Sequence, residues 1–301
     1  MYNPAVYSST TVSQNVGLLS SNINSIAFAG LSGENSSPQG RSGGDLPDMG
    51  NTWVKLVGFD ENVDFDSFQT IDSQVFSVIG GMTTDKVNLG SSDMTFGAYA
   101  GYLNGKQKYT GNKVEQNGGY FGLSTSWTKD RIFVDGTINA GFIRNEAKHS
   151  FGTDKYNTYW TGAAAKVGYN YALTDTLTLA PSFYAGYTMV ATKDYTSVSG
   201  VRIENDKTHI FEFAPGLKLS QQFNNDWTGF IQGKYAILKN HGGDVTADDI
   251  ALPNISTDNY AEYGIGLDKV LTDNWTLSLT ANRRDGGRQG WNGSVEFKYN
   301  F

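Results

Sequence analysis

The 301-residue chain has no cysteine, only six prolines and no clustered run of Lys or Arg. Without cysteine there is neither a disulfide framework nor a thiolate metal site. Nor does any apolar stretch approach the roughly 18 residues of a transmembrane helix; the most apolar segments, 25–31 and 161–168, stop well short. The 23 cations are scattered among 30 anions, for a formal charge of −7 and a pI near 5.0. Phosphate backbones are bound by clustered cations, so nucleic acid is excluded as a partner. Residues 1–8 have neither the positive nor the apolar part of a secretory signal. That leaves a cytosolic protein or a piece of a longer secreted chain.

What the chain does have is rings and glycine: 17 Phe, 17 Tyr, 6 Trp and 36 Gly. So many aromatics beside so little proline argue against disorder. From about Thr52 onward the dominant signal is period two, which sends alternate side chains to opposite faces of a strand. Near the end, Trp291, Gly293, Val295, Phe297, Tyr299 and Phe301 share one face while Asn292, Ser294, Glu296, Lys298 and Asn300 share the other. Similar stretches begin near Thr52, Gln69, Asp93, Asn117, Arg131, Asn157, Thr176, Thr208, Asp226, Tyr260, Asn274 and Gly290. They predict about twelve strands of ~10 residues.

Connections alternate in length. Short turns fall at 127–131, 173–176, 223–227 and 271–275, and long polar links at 105–116, 144–156, 192–207, 239–259 and 283–289. Short turns on one rim and long loops on the other are the pattern of an antiparallel up-and-down outer-membrane barrel, all-β, with turns periplasmic and loops extracellular. Trp127, Tyr171, Trp227 and Trp275 stand beside the short turns, where rings form an interface girdle. Charges cannot face hydrocarbon cheaply, so the polar face carrying Lys55, Asp135, Lys166, Glu212, Glu262, Asp268 and Glu296 is expected to line the lumen. Small residues on that face, such as Gly97, Gly101, Gly162 and Gly264, are expected to leave it open. Twelve tilted strands would leave a bore of roughly 10–13 Å, enough for one helix.

A helix of that kind is predicted ahead of the barrel. Val12, Val16, Leu19, Ile23 and Ile26 recur at steps of three and four, with Asn22 and Asn24 between them. The division is therefore residues 1–32 as a pore-threading helical segment, 33–50 as a linker rich in Gly and Ser, and 51–301 as the barrel. The three histidines, His149, His209 and His241, read as solvated loop residues too far apart for a ligand set. No Gly-x-Ser-x-Gly elbow is present and 244–249 lacks the ligand pattern of a calcium loop, so neither cofactor nor metal is expected.

Three segments together resemble the C-terminal translocator domain of the monomeric autotransporters. They are the Thr52-Trp-Val-Lys-Leu-Val-Gly58 opening, the Thr95-Phe-Gly-Ala-Tyr-Ala-Gly-Tyr102 strand and the close over 291–301. The resemblance implies a monomeric twelve-stranded barrel that carries an upstream passenger, absent from this chain, to the cell surface by type V secretion. It also implies insertion into lipid and lipopolysaccharide by the outer-membrane assembly machinery, with Val295, Phe297, Tyr299 and Phe301 as the assembly signal. Some members cleave themselves inside the barrel at an adjacent Asn pair. Here the helix offers Asn22-Ile-Asn24 instead, so an intact, non-enzymatic chain is expected. Two other readings fit a barrel as such: a diffusion porin with residues 1–50 outside the pore, or an adhesin acting through its outer loops.

Overall fold

The computed structural model describes residues 50–65, 69–109, 112–252 and 258–301. The predicted pore helix and nearly all of the linker lie outside the described residues. Twelve long strands follow in order: β1 (Asn51–Phe65), β2 (Gln69–Thr83), β3 (Asp93–Tyr109), β4 (Asn112–Lys129), β5 (Ile132–His149), β6 (Gly152–Tyr169), β7 (Leu177–Thr192), β8 (Thr208–Gln222), β9 (Trp227–Gly242), β10 (Tyr260–Val270), β11 (Trp275–Gly286) and β12 (Arg288–Asn300). Each pairs antiparallel with the next, and β12 returns to β1 from Asn51↔Asn300 to Val63↔Arg288. Closure leaves the barrel without a free edge.

The short-turn rim is made by local side-chain chemistry. Thr174 Oγ1 accepts from the Leu177 amide at 3.0 Å, Asn224 Oδ1 from the Asp226 and Trp227 amides at 2.9 and 3.0 Å, and Thr272 Oγ1 from the Trp275 amide at 3.2 Å. These are the Asx- and ST-type turns that Asn and Thr favour. In the β4–β5 turn Asp130 takes a positive φ of 54°.

The opposite rim departs from the sequence-based expectation. Of the five segments predicted as long links, 105–116, 144–156 and 283–289 mostly continue the strands, joining β3 to β4, β5 to β6 and β11 to β12 in hairpins. Beyond the apolar band the outer face of a strand meets water and turns polar, so the contrast between the two faces fades in the sequence while the ladder runs on. Of the links 192–207 and 239–259, the described residues 193–207, 243–252 and 258–259 leave the barrel strands. Within them the short strands Tyr195–Thr196, Arg202–Asn205, Val245–Ala247 and Ile250–Leu252 form a second sheet.

The outer face carries exposed apolar side chains, among them Phe76, Val78, Phe121, Leu123, Ile138 and Ile265. Trp127, Tyr171, Trp227 and Trp275 lie at its short-turn edge, where Trp275 packs on Tyr299 at 5.0 Å and Lys269 Nζ sits 4.5 Å over the Trp227 ring. A second set of exposed rings, Tyr102, Phe142, Tyr159, Tyr235, Tyr263 and Trp291, closes the loop-side edge. Two such girdles bound the hydrocarbon-facing band of an outer-membrane barrel.

Candidate functional site

The lumen is not simply polar. Trp53, Phe59, Tyr99, Tyr120, Trp160, Tyr184 and Tyr260 point inward and are buried. Several inward glycines make room for these rings, and Gly162 and Gly264 lie against Asn139 and Asn282, so the space expected from their size is filled. A Cβ on Gly101 would lie 2.4 Å from the Tyr120 ring, one on Gly122 2.3 Å from Tyr99, and one on Gly141 2.3 Å from Trp160. These three rings lie over the neighbouring strand and are pinned at the polar tip: Tyr120 to the Ser77 hydroxyl at 2.8 Å, Tyr99 to Thr137 at 2.8 Å, and Trp160 Nε1 to Asn139 Oδ1 at 3.1 Å.

Among these rings the charged side chains meet opposite charges, hydroxyls and ring faces. Lys55 Nζ lies 3.3 Å from Glu296, Asp135 accepts from the Ser126 hydroxyl, and Lys166 Nζ stands 5.6 Å from the Phe133 ring centroid. Asp268 is buried on the same face. Glu212 and Glu262 belong to a larger cluster at the loop-side half. Tyr260 donates to Glu212 at 3.4 Å, while Lys234 Nζ stands between the two carboxylates, 4.0 Å from Glu212 and 3.6 Å from Glu262. Arg284 Nε donates to Glu262 at 2.6 Å and Nη1 to Glu61 at 3.1 Å, and Arg288 clasps Glu61 through Nε at 3.1 Å and through Nη2. Three carboxylates thus face three cations within one ring-walled cluster. All seven residues predicted to line the lumen point inward. Glu61, Arg284 and Arg288 were not predicted, because 283–289 reads as a loop and Glu61 lies where the outer face of β1 has already become polar.

The second sheet lies across the loop-side mouth. Its Ile203, Val245 and Ala247 pack with Val63, Ile71, Val114, Ala147 and Tyr156, inward residues at the loop-side ends of β1, β2, β4, β5 and β6. Because the loops spring from β7–β8 and β9–β10, the sheet crosses to the far side of the ring. Asp154 fixes it: Oδ1 accepts from the Val198 amide at 2.8 Å and Oδ2 meets His149 Nε2 at 3.2 Å. Tyr195 stacks on Tyr156 at 4.9 Å. His149 is therefore a buried member of the cap, not a solvated loop residue, and His209 and His241 lie within β8 and β9, where His209 Nδ1 contacts the Tyr187 hydroxyl at 2.8 Å. Among the described residues no group of three His, Cys, Asp or Glu side chains is placed to hold a metal ion.

A closed antiparallel barrel, apolar and double-girdled outside, ion-paired and aromatic within, is an integral β-barrel of the outer-membrane class. The chain belongs to the autotransporter family: the family model described as the autotransporter beta-domain matches residues 52–282. Among solved structures it is similar to the transport unit of the autotransporter AIDA-I from Escherichia coli, at 18% identity and TM-score 0.74 over 91% of this chain and 98% of that one. It is also similar to the beta domain of the Bordetella autotransporter BrkA, at 15% identity and TM-score 0.72 over 84% and 100%. The translocator domain of NalP from Neisseria meningitidis matches at 12% identity and TM-score 0.72 over 97% and 98%. By sequence alone no curated protein matches. Domains of this family are translocators that carry a passenger polypeptide across the outer membrane, and this chain is one of them.

Proposed function

We propose that the barrel secretes and anchors its passenger by threading: residues 1–32 lie in the lumen as a helix, residues 33–50 lead down to β1, and the passenger continues from the upper end of the helix. The observation that carries this reading is where the chain joins the wall. Asn51 sits on the short-turn rim beside Asn300 and Thr83, faces inward and is fully buried, so a segment threaded through the lumen could enter β1 there without crossing the wall. The short turns then face the periplasm and the cap faces outside. A wall of balanced charges suits a polar Ser- and Asn-rich helix better than a bare bundle of like charges would.

In this reading the chain is a conduit and does no covalent chemistry. The outward Val295, Phe297 and Tyr299 lie on β12, the strand that closes the ring, and Phe301 follows directly after it. A terminal strand of that kind suits pairing with the assembly machinery before closure. Once inserted, the closed edge favours a monomer in lipid.

Single-channel conductance in planar bilayers tests the threading, using the full chain and a chain lacking residues 1–32, each with and without Asp154→Ala to loosen the cap. Low conductance that rises on truncation, and rises further when the cap is loosened, is the expected result. Equal, high conductance with and without residues 1–32 would remove the plug and favour the diffusion porin. Low conductance from all four would place the obstruction in the barrel wall itself and contradict threading equally.

A further inference from the structure

The cations that are scattered in the sequence are gathered by strand register. On the outer face of β3–β6, above the loop-side girdle, Lys108 lies opposite Lys113 and Lys113 opposite Lys148, so three lysines stand abreast. One step nearer the hydrocarbon, Lys106 faces Glu115, Glu115 faces Glu146, and Glu146 faces Lys155. A further step down, Arg144 stands between Asn117 and Asn157. At the same height on β1 and β2 the outward side chains include Asp60, Asp64 and Asp72, and no cation.

Like charges directly opposite one another on a sheet destabilise it. The lysine row is held together by Glu115, which accepts from Lys113 and, at 2.6 Å, from Lys148. These contacts keep the Glu115 carboxyl down at about 2, so it stays ionised at neutral pH. Even so, six cations and two carboxylates remain on the outer face of β3–β6, Asp72 of β2 stands opposite Lys108 at its edge, and among the described residues no ion pair holds Lys106 or Lys108. An unneutralised patch on a chain of net charge −7 has no folding rationale. It does have a place. With ~3.3 Å of rise per residue and a strand tilt of ~40°, the rows stand about 5–15 Å above the girdle, at the height of lipid head groups.

We infer that the outer face of β3–β6 is a binding site for the phosphate groups of a phosphorylated glycolipid of the outer leaflet, with Lys108, Lys113 and Lys148 as the phosphate ligands and Tyr102, Phe142 and Tyr159 packing on the sugar and upper acyl chains. The aspartates of β1 and β2 confine such a lipid to one side of the barrel. The inference rests on the proposed orientation, loops outward, but its test does not depend on it.

The probe is diphosphoryl lipid A, added to the full chain in neutral detergent and followed by native mass spectrometry, with dephosphorylated lipid A, phosphatidylglycerol and inorganic phosphate as separate arms. Lys108→Gln/Lys113→Gln/Lys148→Gln is expected to lower affinity about a hundredfold, at roughly fivefold per lysine. The same three positions changed to Arg retain it, and removing the lipid phosphates mimics the loss. Binding within threefold of wild type in the glutamine variant would overturn the site. So would equal binding of the phosphorylated and dephosphorylated lipids, or equally tight capture of phosphatidylglycerol or inorganic phosphate. Retention of the folded, heat-modifiable band on gels shows that the variants still form the barrel. Orientation is scored separately, by labelling Ser199→Cys in intact cells, so a wrong orientation and an absent site give different results.

Discussion

Changing Glu61 to Gln removes one negative charge from a cluster that is otherwise balanced, three carboxylates against Arg284, Arg288 and Lys234. Arg284 and Arg288 are 2% and 0% exposed. At the 3.1 Å separation of Arg284 and Glu61, the Coulomb attraction is about 5 kcal/mol at an effective dielectric of ~20, before desolvation is subtracted. What a single truncation reports is the charge left behind, commonly about 3–5 kcal/mol for a buried pair. Arg284 keeps Glu262 at 2.6 Å, so the lower end, ~3 kcal/mol, is expected. The assay is reversible urea unfolding in lipid vesicles, read by tryptophan fluorescence. Adding Arg288→Met to Glu61→Gln restores neutrality and should recover most of the loss. A Glu61→Gln variant within about 0.5 kcal/mol of wild type, or a double variant no more stable than the single one, would show that lumenal water already solvates these arginines and would refute the argument.

The ring-and-glycine fit predicts coupling between Gly141 and Trp160, which are direct cross-strand partners. Gly141→Ala should cost about 1–3 kcal/mol by overpacking a pinned ring, and the double variant with Trp160→Ala should be more stable than the sum of the singles implies, by a similar amount; strict additivity in urea unfolding would contradict the fit. On the outer face Ile265 is 62% exposed, and Ile265→Arg should destabilise the barrel by about 2–4 kcal/mol in bilayers. A neutral result would mean that this position does not meet hydrocarbon. Asp154→Ala removes the acceptor for the Val198 amide and the partner of His149. Hydrogen exchange should then speed up in 195–205 while the barrel ladder stays protected, and unchanged protection of the cap would assign its anchoring to the apolar contacts alone.

The twelve strands were legible because one face of each must meet hydrocarbon, which imposes alternation through the band. Within the band parity separates the two faces, but Glu61, above it, escaped for want of alternation. Above the band that constraint disappears, which is why the tops of β3–β6 and the β11–β12 hairpin read as loops and why Arg284 and Arg288 were missed. Ring packing was illegible for a different reason: Trp160 needs Gly141, and the two meet only once register is set between β5 and β6. The lysine row on β3–β5 was hidden in the same way, since Lys108 and Lys148 are brought onto one row only through the register with Lys113 between them. The cap follows from apolar residues spaced singly through polar loops, Ile203, Val245 and Ala247, too sparse to show as periodicity.

Threading of residues 1–32 through the lumen is tested most directly by cysteine pairing, for which a chain without native cysteine is well suited. Leu19, Ile23 and Ile26 are changed to Cys one at a time and combined with Ala164→Cys, which faces the lumen, or with Ala165→Cys, which faces outward on the same strand. After mild oxidation in intact outer membranes, a disulfide to position 164 from at least one of the three, and none to position 165, is the predicted result. Failure of all three to reach position 164, with their thiols freely labelled by a membrane-impermeant reagent, would contradict it.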